Sequence, residues 1–265
     1  MRIITGCSRS GTSFVSQAIQ RLGGDFGERD ELIEGDRWNK KGYFENRAIN
    51  TVNHRLLFGR WSNPKLWVDI MWPKRKPLIH LRKLATIAQG PLLSHPALIR
   101  RRGRALRGEM ETLGHSLEGK VVKDPRFSYL MEPWEATGSV HSVLYVVRNP
   151  REAAMSMSRQ TRLPLRLTYL GWVDAIRKFW DHPPVVPVHI VDYNAFFDRE
   201  KRHGEMRTLM EFLDRKYDGA LADQVLDEVL DEKLRTQKGV EQPLPRKVAA
   251  VYHGLLARRA GTPAR

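Results

Sequence analysis

Short apolar runs alternate along the chain with longer stretches whose apolar positions recur every three or four residues. The first run, Ile3-Ile4, meets a turn rich in Gly and Ser. Phe14, Val15, Ala18, Ile19 and Leu22 then follow at helical spacing. Ile49, Val52 and Leu56 share one face of a second predicted helix, with Glu45 and Asn46 at its start, where a carboxylate sits well beside the helix dipole. Runs at 120–122, 141–147 and 188–193 predict three more strands. The middle one is almost wholly apolar, as a parallel strand buried on both faces should be. After it, Asn149 fits an N-cap and Pro150 the first helical position. Further helices are predicted over 165–180, 206–213, 221–230 and 246–259, with a frayed tail from 261. This order predicts an α/β protein, a three-layer αβα domain with a central parallel sheet of at least four strands.

One domain over 1–265 is expected, with 59–107 as a lid or acceptor-side insertion and 236–265 as a C-terminal extension. Residues 59–77 are neither helical nor alternating in pattern. Trp61, Trp67 and Trp72 there either pack under a long loop or wall an acceptor pocket. The stretch that follows reads as helical segments broken at Gly90-Pro91 and Pro96.

Composition narrows the function classes. The chain is 41% hydrophobic and 28% charged, which is the balance of a globular protein. Its apolar runs fall far short of the roughly 20 residues of a membrane span, and nothing in it reads as a signal peptide. Cys7 is the only cysteine, which rules out an intrachain disulfide and argues against a cysteine-based metal site. His54, His80, His115 and His189 lack metal-ligand spacing, so no metal is expected. A cytoplasmic protein, able to sit at a membrane surface, is the simplest expectation.

Charge changes the picture more. The net charge of +15 favours polyanionic partners. Between Lys74 and Arg107 lie ten basic residues and no acidic one, so this span supplies +10 of it. Either it is a solvated face, or it meets an anionic or membrane-associated acceptor.

The candidate chemistry begins in the first turn. A strand, a glycine-rich loop and a helix N-terminus form an anion cradle, in which backbone N–H groups and the helix dipole converge on a phosphate. Gly6 and Gly11 have the spacing of a nucleotide-triphosphatase loop, G-x-x-x-x-G-K-[ST], but Thr12 stands where the lysine belongs. The cation lies inside the loop instead, at Arg9. Arg9, Lys123 and Arg148 each follow a predicted strand. Ligands of open α/β sheets bind beyond the carboxyl ends of the strands, so these cations should converge on one crevice.

Arg9 followed by Ser10-Gly11-Thr12-Ser13 resembles the loop of the sulfotransferases that use 3′-phosphoadenosine 5′-phosphosulfate (PAPS). Lys41-Gly42-Tyr43-Phe44-Glu45-Asn46 is similar to a segment of many bacterial sulfotransferases. Lys123-Asp124-Pro125-Arg126-Phe127 resembles a Lys-x-Pro-x-aromatic element of that family, and Arg148 with Ser156 eight positions later matches its 3′-phosphate pair. Tyr193-Asn194 departs from it, because an acid is commoner than asparagine there. The resemblance implies a P-loop NTPase-like sulfotransferase fold and transfer of a sulfuryl group from PAPS to a hydroxyl of a glycan, glycolipid or small molecule, releasing adenosine 3′,5′-bisphosphate (PAP). Cys7, Ser8, Arg9, Ser10, Gly11, Thr12 and Ser13 would hold the 5′-phosphate, and Arg148 and Ser156 the 3′-phosphate. Arg9 and Lys123 would stabilise charge on the bridging oxygen. Glu45 would deprotonate the acceptor, with His54 or Asp124 in reserve and a first-turn acid as the plainer reading of Glu45. Leu234-Arg235 and Lys238-Gly239 lie where the family often returns basic groups to the nucleotide.

Two rivals stand beside this reading. A nucleotide kinase would want the missing lysine and an aspartate where Arg148 stands. A basic nucleic-acid-binding protein would explain +15 without needing the cradle, so no nucleic acid is expected as a partner.

Overall fold

The computed structural model describes residues 1–34, 44–59, 95–230 and 243–261. Four parallel strands form one sheet in the order β2-β1-β3-β4, with β1 at Arg2–Gly6, β2 at Val121–Lys123, β3 at Ser142–Val147 and β4 at Val188–Asp192. β1 and β3 are the inner pair, registered so that Gly6 lies opposite Val146. Every residue of β3 is buried, as its unbroken apolar run requires.

Alternate side chains of the strands point to opposite faces. Ile4, Leu144 and Val146 face one core with Val15, Ile19 and Leu226. Those come from α1 (Thr12–Arg21) and α8 (Gly219–Val229), and Met206 and Leu209 of α7 (Arg202–Phe212) join them. Ile3, Val143 and Tyr145 face the other core, with Leu56, Met110, Trp134 and Phe179. Those belong to α2 (Arg47–Phe58), α3 (Pro96–Ser116), α4 (Phe127–Glu135) and α6 (Leu165–Trp180). α5 (Pro150–Thr161) and α9 (Arg246–Gly261) pack on this second side through Ala153, Ala154, Val248 and Leu255. Each large apolar side chain so buried contributes about 1.5–3 kcal/mol, which explains why the layers hold this pattern.

The strands and helices expected from the pattern are present, with ends shifted by a few residues. α7 begins at Arg202, because Met206 is only its first buried apolar position. α4 escapes a periodicity search because it is short and carries Pro133 inside it. Pro96 is the first residue of α3, with His95 as its cap, and residues 96–107 form that helix's first half. A Cβ at Gly103 would press on Pro133, so α3 and α4 approach closely. Trp61, Trp67, Trp72, the cations from Lys74 to Lys83 and the segment around Arg235 and Lys238 lie outside the described residues. No described helix is long and apolar enough to cross a membrane.

Candidate active site

The site is built where β1 and β3 end side by side. After Gly6 the loop turns sharply, and Ser10 N–H donates to the Cys7 carbonyl at 3.0 Å. Gly6 has φ +147°, and a Cβ there would overlap the Val146 carbonyl oxygen, so only glycine lets the two inner strands approach this closely. Gly11 has φ +96° and lies under the Tyr193 ring, with no room for a Cβ. Arg9 holds φ +69°, which costs a non-glycine residue roughly 1–2 kcal/mol. Left-handed residues interleaved with ordinary ones curl successive N–H groups into an anion-binding concavity.

α1 starts without a side-chain cap and with no acid in its first turn. Its first turn lies at the positive end of the helix, where an anion is favoured. The buried Ser10 hydroxyl has no hydrogen-bond partner among the described residues, and it sits over Gly6. An orphaned buried hydroxyl of this kind calls for an explanation, and an anion in the loop supplies one. Thr12 is buried, Ser13 half-buried and Ser8 exposed. Cys7 is buried with its thiol donating to the Trp172 carbonyl at 3.4 Å. Burial pushes that thiol up to about 12, so it stays protonated and is no nucleophile.

Arg9, Arg148 and Ser156 meet. Arg9 Nε donates to Ser156 Oγ at 3.0 Å, and Arg148 Nη1 donates to the Arg9 carbonyl at 3.3 Å. Arg148 is also paired with Glu152 one turn later, Nε to Oε2 at 3.0 Å, and lies over the Tyr193 ring at 4.5 Å. The pair is buried, so both charges depend on each other. Asn194 completes the arrangement: its amide donates to Glu152 Oε1 at 3.0 Å and its carbonyl accepts from Asn149 N–H at 2.8 Å. An aspartate could not donate to Glu152, which is the physical reason for an asparagine at this position.

Lys123, at the end of β2, is almost fully buried and pairs with Glu45 at 2.8 Å. Asn50 donates to the other Glu45 oxygen at 3.1 Å, and Arg126 lies 3.6 Å from it. Asn46 caps α2 with bonds from Ala48 and Ile49 N–H, so Glu45 is fixed immediately outside the helix. Asp124 is fully buried and held by Arg126 at 2.9 Å and Asn53 at 2.8 Å. Burial opposes its ionisation, but the Arg126 charge and these hydrogen bonds outweigh it and hold the carboxyl below its ordinary range. His54 is pushed down to about 4 by burial first and the Arg126 charge second, against a smaller pull from Asp124.

Asn50, Asn53 and Glu152 thus join the residues singled out from sequence, and Arg126, Tyr193 and Asn194, named there only within longer segments, gain contacts of their own. Of the three additions, Glu152 is the one with a readable signal, as an acid four positions after Arg148 on a predicted helix. Three arginines of the basic stretch are engaged within the fold. Arg100 pairs with Glu132 at 2.7 Å, Arg107 with Glu111 at 2.7 Å, and Arg102 donates to the Leu56 carbonyl at 3.0 Å.

In overall shape the chain is similar to the sulfotransferase domain of the olefin synthase of Synechococcus PCC 7002. The match has a TM-score of 0.52 and 15% identity, covering 97% of this chain and 94% of that one. It also aligns with the sulfotransferase STF1 of Mycobacterium tuberculosis H37Rv, at a TM-score of 0.43 and 14% identity, over 96% of this chain and 76% of that one. No family model and no curated protein matches the chain. The first likeness establishes the fold, an α/β sulfotransferase architecture.

Proposed function

We propose that the protein transfers a sulfuryl group from PAPS to an acceptor hydroxyl and releases PAP. The observation that carries this reading is the contact chain Arg148–Arg9–Ser156 across the mouth of an uncapped, left-handed loop. It joins a phosphate cradle to a second cationic position on the neighbouring strand, which suits a nucleotide phosphorylated at both ends of its ribose. The loop amides with Ser10, Thr12 and Ser13 would hold the 5′-phosphate. Arg148 and Ser156 would hold the 3′-phosphate. The guanidinium of Arg148 carries five N–H donors, more than Glu152 and the Arg9 carbonyl use. A planar fork of this kind suits phosphate oxygens.

In the reaction the acceptor oxygen forms a bond to sulfur as the bond from sulfur to the phosphate oxygen breaks. The electron pair leaves with PAP and the hydroxyl proton passes to a base. Positioning and charge stabilisation supply most of such an acceleration. Arg9 and Lys123 would stabilise the leaving oxygen. Glu45 is the best placed base, because its side chain stays partly exposed beside Lys123 whereas Asp124 is fully buried against Arg126 and Asn53. Thr12 in place of a loop lysine argues against nucleotide-triphosphate chemistry.

Thermal-shift titrations test this directly. PAP should raise the melting temperature well above the effect of ADP or ATP at equal concentration, and equal shifts would overturn the reading. Glu45→Gln should lower turnover by about 10²–10⁴-fold while PAP affinity holds. Wild-type turnover in that variant would move the base elsewhere.

A further inference from the structure

A cavity of about 250 Å³ opens between α5 and α6, with Cys7 and Ser8 of the phosphate loop in its wall. Ala154, Met157, Leu163 and Leu167 make the lining largely apolar. Asp174 is the one ionisable carboxylate among the described residues of that wall, and Lys178 neutralises it at 2.9 Å. Tyr129 lies on the same wall, one helical turn beyond Arg126, whose guanidinium reaches toward Glu45. The cavity therefore adjoins the phosphate loop at Cys7 and Ser8 and reaches α4 at Tyr129. At its rim Leu170 is 60% exposed, an uncommon degree for a large apolar side chain on a helix of this fold. The volume exceeds the roughly 150 Å³ that suffices to hold benzene and is smaller than most drug-sized pockets.

We infer that this cavity is the acceptor slot, and that the acceptor is an apolar alcohol whose hydrocarbon body is one or two rings or a short alkyl chain. The inference rests on the sulfuryl-transfer reading. It assigns the acceptor hydroxyl to the Ser8 end of the cavity, beside the loop, and the hydrocarbon to the space between α5 and α6. Among the described residues the lining offers an anionic glycan no uncompensated cation, and burial of a neutral hydrocarbon there costs no lost solvation of charge. The arginines of α3 that Glu132, Glu111 and the α2 carbonyls engage are structural contacts, not an acceptor platform.

Gly171 allows a test that leaves the fold intact. It lies exposed on α6 in the cavity wall, and a Cβ there would meet nothing within 4 Å. Gly171→Trp and the rim variant Leu170→Asp should each raise the KM for 2-naphthol by roughly tenfold or more, with PAP affinity unchanged. Calorimetry of 2-naphthol binding in the presence of PAP should show the same weakening without relying on turnover. Sulfation of 2-naphthol and 1-octanol should exceed that of glucose in the wild-type protein. Equal binding and sulfation of 2-naphthol in wild type and both variants would overturn the slot. So would PAP binding and transfer to glucose with no affinity for either apolar alcohol, and the sulfuryl-transfer reading would then survive. Naphthol binding by a protein that neither binds PAP nor transfers would sink the acceptor role and the transfer reading together.

Discussion

The ends of β1 and β3 are adjacent, parallel and each followed by a helix, yet they treat their polar groups in opposite ways. At the β1 end the backbone is strained at Arg9, α1 is uncapped and the Ser10 hydroxyl is buried without a partner among the described residues. At the β3 end Asn149 caps α5, Glu152 neutralises Arg148, and Asn194 ties both together. The first end leaves the Ser10 hydroxyl for a ligand, and the second already commits the Arg148 charge to Glu152. A site that binds a polyanion needs both, because unsatisfied donors supply affinity and the satisfied neighbour holds them in place.

The contrast can be broken from either side. The largest effect should come from Glu152→Ala, which leaves the buried Arg148 cation uncompensated and should cost about 3–5 kcal/mol of stability in urea denaturation. Arg9→Ala should do the reverse. Transfer from labelled PAPS should fall roughly 10²–10³-fold, the scale of losing one donor to a developing negative charge, with the urea midpoint hardly moved. If Arg9→Ala unfolded the protein while Glu152→Ala spared it, the two ends would have exchanged roles. Asn149→Ala should be milder, losing about 1 kcal/mol with the cap of α5, and PAP affinity should follow only weakly.

The smallest effect concerns pH and lies beside Arg126, which also approaches Glu45. His54 is held neutral in the fold, at about 4 against 6.5 in a free chain, so unfolding takes up a proton between those values. Stability from this group is intact above pH 6.5 and falls as the pH drops toward 4. His54→Gln should flatten that part of the melting-temperature profile, and an unchanged slope would place its origin elsewhere.

Much of this was legible in the chain. The apolar run of β3, Asn149 and Pro150 at the start of α5, and the two glycines flanking Arg9 are local signals, and local signals survive in a one-dimensional string. Strand order is not local. That β1 lies against β3, bringing Arg148 to the Arg9 carbonyl, depends on which run pairs with which, and no spacing encodes it. The same holds for Tyr193 over Gly11 and for Asn53 on Asp124, contacts made between elements far apart in sequence. The described part of the cation-rich span makes the same point: Arg100 and Arg102 look uncompensated when counted along the chain, but Glu132 answers Arg100 from another helix and backbone carbonyls answer Arg102.

That last contact has a mechanical consequence. Asn46 seals the first turn of α2, and Arg102 grips its final carbonyls from α3. The twelve-residue helix therefore links α3, gripped at one tip, to the Glu45–Lys123 pair just beyond the other, so one short rod ties the candidate base to a helix outside the site.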